Sequence, residues 1–208
     1  MKKFIQRTLG VMAVLLVIAG CSDDSTPKEG AQYQALPVNL ATYHLAPVTE
    51  VFSLTCGHCR SMESVLPELE KITQQEFGRL HVTFNQGAQI GAMIYYSAVM
   101  QLGHIPDHDM MEELFAAVQM AEGSTLTDQK AAIDQAFHTR NLKSPYEFDE
   151  AQQKELFVFL KTADEISQKG QINAVPTFIV KGKYIVLTAG HQDAQGIGKT
   201  ISYLLTQP

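Results

Sequence analysis

The sequence predicts an α/β fold whose small sheet is interrupted by a lobe of helices. Two observations indicate this order. Strand, helix and strand patterns follow one another over residues 47–84, and two strands joined by a tight turn precede a last helix over residues 177–207. Between them, residues 88–169 carry helical patterns only. Because the strands at the two ends complete one sheet, the helices between them are expected to form an inserted lobe.

The first strand and helix meet near residue 56. Residues 47–54 are rich in β-branched and aromatic side chains and predict a buried strand. Pro67 lies inside the helical pattern that follows and predicts a kink, because its ring removes a backbone donor and crowds the preceding turn. Residues 80–84 alternate in polarity as a second strand does. The apolar stripe of the helix comprises Met62, Leu66, Leu69 and Thr73.

Four helices are predicted for the lobe, and their apolar residues need a common core. The segments are residues 89–102 ending at Gly103, residues 109–122 ending at Gly123, a helix capped by Thr127, and residues 147–169 ending at Gly170. After the lobe, residues 177–180 and 183–187 predict a hairpin around Gly182, and Asp193 is the predicted cap of the last helix.

Size and charge exclude several classes of protein. The chain has 208 residues, of which 45% are hydrophobic, so one domain can bury a core without covalent cross-links. The net charge is −6 and no basic block is present, which argues against a nucleic-acid partner.

The first twenty residues have the features of an export signal. A short basic start precedes residues 9–20, which are apolar but too short to span a bilayer. Ile18-Ala19-Gly20-Cys21 resembles the lipobox of bacterial lipoproteins, in which the cysteine is lipidated. An ordinary secretory signal cleaved near Gly20 is the alternative. Both readings place the mature chain outside the cytoplasm, where disulfides persist.

The predicted organisation follows from this signal. Residues 1–20 are the signal peptide of lipoprotein type, and residues 21–32 are a polar tether anchored through Cys21. Residues 33–208 are the folded domain, with the helical insertion at about residues 88–169.

Cys56 and Cys59 are separated only by Gly57 and His58. Because Cys56 stands where a strand ends and a helix begins, its sulfur can face the unpaired N–H groups of the first helical turn, which favour the thiolate. His58 adds a positive charge or a donor. Cys59 lies one turn later, within bonding reach but more buried. The pattern predicts a redox-active dithiol with Cys56 as nucleophile and Cys59 as resolving thiol.

Two other interpretations of this cysteine pair stay open, a structural disulfide and a metal site. A structural disulfide over two residues closes a very small loop and constrains the unfolded chain little. A zinc or copper site would need histidines as further ligands, because a lone pair of cysteines supplies only two. A second candidate for metal binding is the polar loop that contains His104 and His108, with Asp107 and Asp109 nearby. Because histidines in such loops are usually solvated, we predict no metal and no cofactor.

Two stretches together resemble a known family. EVFSLTCGHC at residues 50–59, followed by a helix, and AVPTFIVKGKY at residues 174–184 resemble the DsbA family of periplasmic thiol oxidases. GAQYQAL at residues 30–36 is similar to that family's N-terminal strand region. The resemblance covers about residues 30–207 and implies a thioredoxin fold with an inserted helical lobe.

The resemblance also implies roles for single residues. Cys56, Cys59 and His58 match the family's nucleophile, resolving thiol and intervening histidine, although Gly57-His58 replaces the usual Pro-His pair. Val175-Pro176 matches a dipeptide with a cis proline that lies against the disulfide, and the Val175 backbone there binds an extended substrate.

A buried acid–base pair completes the implied site. Glu50 matches an acid beneath the disulfide that takes a proton from Cys59. Arg79 falls near the place of the lysine that accompanies this acid in the family.

The implied function is that of a thiol–disulfide oxidoreductase. It would introduce disulfides into unfolded exported proteins, as a monomer, and a DsbB-like, quinone-linked membrane oxidase would reoxidise it. Cys21 would anchor it in the periplasm, and Ser22 favours the outer membrane. A disulfide isomerase or reductase is one alternative, and a non-redox metal-binding or chaperone module is another.

Overall fold

The computed structural model describes residues 26–208. The predicted signal peptide, Cys21 and Ser22 lie outside the described residues. Within residues 26–208, no helix combines the length and the apolar character that crossing a membrane requires.

The described chain forms one mixed sheet of five strands. The strands are β1 (Tyr33–Ala35), β2 (Val48–Phe52), β3 (Gly78–His81), β4 (Thr177–Val180) and β5 (Tyr184–Val186). Their order in the sheet is β1-β5-β4-β2-β3, in which β2 and β3 are parallel and the other neighbours are antiparallel. This register places Glu50 of β2 opposite Arg79 on one side and Phe178 on the other.

Four of the helices lie between β3 and β4 and form the inserted lobe, which confirms the predicted α/β fold. The helices of the described chain are α1 (Gly57–Glu63), α2 (Leu66–Thr73), α3 (Gln86–Leu102), α4 (His108–Val118), α5 (Leu126–His138), α6 (Glu150–Lys169) and α7 (Ala194–Thr206).

The predicted boundaries near the site need three corrections. The strand predicted at residues 47–54 is β2, which ends at Phe52. The single kinked helix is two helices, and Pro67 stands in the first turn of α2, where backbone N–H groups have no helical partner to lose. The strand predicted at residues 80–84 ends at His81 instead. It begins earlier because its parallel register with β2 starts at Gly78.

The lobe differs from prediction at several helix ends, among them the start of α3, which is Gln86 rather than residue 89 because Asn85 caps the helix. Thr125, not Thr127, caps α5, because Thr125 and Asp128 exchange side-chain and backbone hydrogen bonds in a capping box. Asp149 caps α6 in the same way, so that helix starts at Glu150 rather than at residue 147. Helix α4 ends at Val118 rather than at residue 122, since the chain uses residues 119–124 to turn into α5.

The core of residues 26–208 consists of two apolar clusters. The larger one joins Phe52 and Leu54 to lobe residues such as Tyr95 and Phe115. The smaller one joins Val48 and other strand residues to side chains of α2 and α7. Strand β2 is buried along its whole length, so the turn that follows it starts from a well-packed strand.

Candidate active site

Cys56 is the N-cap residue of α1, at the end of the short turn that leaves β2. Its N–H donates to the Ser53 carbonyl at 3.0 Å. Its sulfur accepts a hydrogen bond from the Cys59 N–H at 3.3 Å. A sulfur that accepts a backbone N–H is stabilised as a thiolate. The strand-to-helix junction predicted from sequence is therefore present, and it places the Cys56 sulfur at the start of α1.

The two thiols have different surroundings. Cys56 is half-buried, whereas the exposed fraction of Cys59 is 0%. Burial raises the pKa of the Cys59 thiol above its ordinary value, and the nearby Cys56 and Glu50 raise it further. A substrate can therefore reach only the sulfur of Cys56, and Cys59 is left to act within the protein.

The Val175–Pro176 segment lies directly beside Cys56. The peptide bond is cis, and the Val175 carbonyl oxygen is 3.8 Å from the Cys56 sulfur, within reach of the thiol as a donor. An open, largely apolar groove runs on from this point. Its lining includes His58, Met62, Val65, Val175, Pro176 and Ile197. His58 is exposed at the groove.

Glu50 is a fully buried carboxylate on β2, between β3 and β4. Arg79 Nη1 lies 2.8 Å from its Oε2 atom and forms an ion pair with it, but neither Glu50 oxygen has a hydrogen-bond partner within residues 26–208. Burial raises the pKa of Glu50 from 4.5 to about 7, the charge of Arg79 opposes this, and Glu63 adds to it. A carboxyl with this pKa can exchange protons near neutral pH.

Sequence reasoning missed Glu63, which holds Arg79 more firmly than Glu50 does. Arg79 donates to both Glu63 oxygens, with Nη1–Oε1 at 2.5 Å and Nη2–Oε2 at 2.9 Å. Burial alone would lower the pKa of Arg79, but its bonds to Glu63 and the charge of Glu50 raise it overall. The signal was present in the sequence, because Glu63 follows Cys59 by four residues and so shares its helix face.

Comparisons with known proteins agree with this geometry. A family model for thioredoxin matches residues 45–202. The chain belongs to the thioredoxin family. No curated protein sequence matches it. The family-model match confirms the thioredoxin fold that the sequence resemblance implied.

This thioredoxin-family chain is similar in shape to several solved DsbA structures. The crystal structure of Proteus mirabilis DsbA superposes with a TM-score of 0.64 at 20% identity, covering 88% of this chain and 100% of that one. Reduced DsbA1 of Neisseria meningitidis gives a TM-score of 0.63 at 23% identity, covering 86% and 94%. A serine variant of the P. mirabilis protein, with a non-covalently bound peptide PWATCDS, gives 0.60 at 20%, covering 87% and 99%.

The other sequence candidates lie outside the thiol site of this thioredoxin-family chain. His104 is exposed and its Nδ1 lies 2.8 Å from the Ile105 carbonyl. His108 is 59% exposed and its Nδ1 lies 3.9 Å from Glu63 Oε2. Across residues 26–208, no three histidine, cysteine or acidic side chains are grouped as a metal site requires.

The buried Glu50 gives a prediction about stability and pH. Its pKa is about 7 in the fold and 4.5 without burial, so the folded state holds the proton more tightly and loses stability as pH rises through that interval. Replacing Glu50 with Gln removes this effect. Relative to wild type, we expect Glu50→Gln to gain up to about 3 kcal/mol between pH 4.5 and pH 8.

Urea unfolding of the reduced proteins at several pH values measures this gain. Glu112→Gln is the control, because it removes a half-exposed carboxylate that pairs with Arg60 at the surface. A Glu50→Gln difference that stays constant with pH would contradict the assignment.

Proposed function

We propose that this chain is a thiol–disulfide oxidoreductase that introduces disulfides into exported proteins. One observation carries the proposal, which is the different exposure of the two thiols: the Cys56 sulfur is accessible, whereas Cys59 is fully buried. The Cys56 sulfur also accepts the Cys59 N–H and lies 3.8 Å from the Val175 carbonyl oxygen. This arrangement separates the thiol that meets substrate from the thiol that resolves the exchange.

The reaction starts from the Cys56–Cys59 disulfide. A substrate thiolate attacks the Cys56 sulfur, the bond to Cys59 breaks, and Cys59 leaves as a thiolate that takes up a proton. A second substrate thiolate then attacks the substrate sulfur of the mixed disulfide, and Cys56 leaves as a thiolate. The substrate has lost two electrons and gained a disulfide, and the protein holds two thiols.

Glu50 serves the return to the disulfide. Cys59 must lose its proton before its sulfur can attack Cys56, and burial makes that loss unfavourable. A carboxylate with a pKa of about 7 accepts that proton without exposure to solvent. Before that attack, Cys56 forms a mixed disulfide with a DsbB-like, quinone-linked membrane oxidase by attacking the oxidase's own disulfide. Cys59 then attacks the Cys56 sulfur, the bond to the oxidase sulfur breaks, and the oxidase retains both electrons.

The groove beside Cys56 is the proposed binding surface for substrate. A cysteine that reaches Cys56 brings its flanking residues along the Val175 backbone, where an extended segment can add as a strand. The apolar lining suits unfolded chains. The peptide bound to the related P. mirabilis DsbA variant contains a cysteine, which supports this use of the fold.

Peptide oxidation tests the function. Oxidised protein is mixed with a reduced two-cysteine peptide in oxygen-free buffer, and mass spectrometry follows both. We expect one peptide disulfide for each protein disulfide consumed, and a peptide that stays reduced would refute the proposal. If the protein rearranges the incorrect disulfides of a scrambled substrate faster than it oxidises this peptide, the chain is a disulfide isomerase instead. The Gly57-His58 pair makes isomerase activity the second candidate.

We further propose that the mature protein is a monomer held in the periplasm by a lipid on Cys21, in the outer membrane. Mass spectrometry of the membrane-extracted protein should show an acylated N-terminal cysteine. Cys21→Ser should move the protein to the soluble fraction without changing its rate of peptide oxidation. An unmodified wild-type chain in the soluble fraction would contradict the anchor.

A further inference from the structure

Leu54 lies two residues before Cys56 and just beyond the end of β2. Its side chain is fully buried, so its backbone N–H and carbonyl need partners that the strand ladder no longer supplies. Two side chains from distant parts of the chain provide them. His81 Nε2 accepts the Leu54 N–H at 2.8 Å, and Gln119 Nε2 donates to the Leu54 carbonyl at 2.7 Å.

We infer that His81 and Gln119 are positioning residues, which hold both backbone groups of Leu54 and thereby set the position of the Cys56 sulfur. The inference rests on the proposed function only in explaining why the position of the Cys56 sulfur matters. Its structural basis is the pair of hydrogen bonds made by the Leu54 backbone. Neither side chain is in hydrogen-bond contact with Cys56 or Cys59. Both act through the short turn that places Cys56 at the start of α1.

His81 is fixed as a hydrogen-bond acceptor. Its Nδ1 lies 2.7 Å from the Val82 carbonyl and must carry the proton, which leaves the Nε2 lone pair for Leu54. The ring packs edge-on to the Phe52 ring, with 4.9 Å between the ring centroids. Gly91 leaves room for it, because a Cβ atom at that position would lie 2.9 Å from Nε2. Burial lowers the pKa of His81 to about 3, so the ring stays neutral at working pH.

Gln119 connects the helical lobe to the active-site turn. It is the C-cap residue of α4, and its backbone N–H still donates to the Phe115 carbonyl at 2.9 Å. Its side chain therefore extends from a fixed helix end. A second link, Arg60 Nε to Glu112 Oε2 at 3.2 Å, joins α4 to α1 on the other side of Cys56 in the sequence.

The chain offers a matched control for Gln119. Gln129 also donates a side-chain N–H to a backbone carbonyl at the end of α4, that of Val118 at 3.1 Å, but it does not reach Leu54. Gln119→Met and Gln129→Met each remove one such bond at nearly constant side-chain length. Only Gln119→Met loosens the turn before Cys56.

Two measurements on the reduced, folded proteins test the inference. One is the rate at which iodoacetamide alkylates Cys56 at pH 7, and the other is the equilibrium of the Cys56–Cys59 pair with glutathione. We expect Gln119→Met to lower the rate about three- to tenfold and to shift the equilibrium towards the protein disulfide by a similar factor, as the loss of one hydrogen bond would. Gln129→Met should change neither.

His81 supplies an independent arm of the test. His81→Gln keeps an acceptor near the Nε2 position and should retain most of the alkylation rate, whereas His81→Leu should lose it. If His81→Leu does not fold, the Gln119 and Gln129 pair still decides. Equal rates and equilibria for Gln119→Met and Gln129→Met would overturn the inference. A wild type that fails to oxidise peptides while Gln119→Met still slows alkylation would refute only the proposed function.

Discussion

In the native state, the Cys56→Ala variant is expected to be nearly inert to thiol reagents, whereas Cys59→Ala should react readily. Cys59 is fully buried, and burial raises the pKa of its thiol, so both access and thiolate population are low. Cys56 is half-buried and its sulfur accepts a backbone N–H. We expect alkylation of Cys59 in Cys56→Ala to be slower by about 100-fold or more than alkylation of Cys56 in Cys59→Ala.

Timed alkylation followed by mass spectrometry measures both rates. Unfolding in urea is the control, because the two single thiols should then react at similar rates. Comparable rates in the native state would show that Cys59 is accessible. The assignment of one attacking and one resolving thiol would then be wrong.

Removing Arg79 is expected to have the largest effect on stability. Arg79 lies between two buried carboxylates, Glu50 and Glu63, whose exposed fractions are 0% and 1%. Arg79→Met would deprive both of the Arg79 charge, and breaking a buried ion pair in this way costs about 3–5 kcal/mol. We expect that loss at pH 8. It should shrink as pH falls, because the orphaned carboxylates bind protons more tightly in the folded state than in the unfolded one.

Arg140→Met is the matched control. Arg140 also forms a two-pronged pair, with Glu113 at 2.6 and 3.1 Å, but that carboxylate is 48% exposed. A surface pair of this kind contributes about 1 kcal/mol or less. Equal losses for the two variants in urea unfolding at pH 8 would refute the burial argument.

The parts of the site that were predictable from sequence depend on local patterns. An apolar strand running into a helix placed Cys56 at a helix start, and the spacing of three residues placed Cys59 below it. The resemblance to DsbA supplied Glu50 and the Val175–Pro176 bond. Glu63 was missed although its helical spacing from Cys59 was visible, because an acidic residue on a short helix is usually solvated.

The parts that were not predictable depend on long-range contacts. The bond from Gln119 to the Leu54 carbonyl joins residues 65 positions apart, and no periodicity indicates it. The start of β3 depends on its register with β2 rather than on its own alternation of polarity. Thr125 was passed over for Thr127 because both can cap a helix, and only the reciprocal bond from Asp128 decides between them.

The geometry also bears on the direction of the reaction. Reduction of the pair leaves a Cys56 sulfur that the Cys59 N–H stabilises. A pair whose reduced form is stabilised is an oxidant, as the range from about −120 mV for DsbA to about −270 mV for thioredoxin illustrates. We therefore expect this chain to lie in the oxidising half of that range.

Equilibration of the Cys56–Cys59 pair with a series of glutathione buffers tests the central claim most directly. Trapping the thiols with acid and alkylating them gives the fraction of reduced protein in each buffer. We predict a potential more positive than about −195 mV, the middle of that range. A potential near that of thioredoxin would make the pair a reductant, and a pair that does not equilibrate with glutathione would not be a redox centre at all.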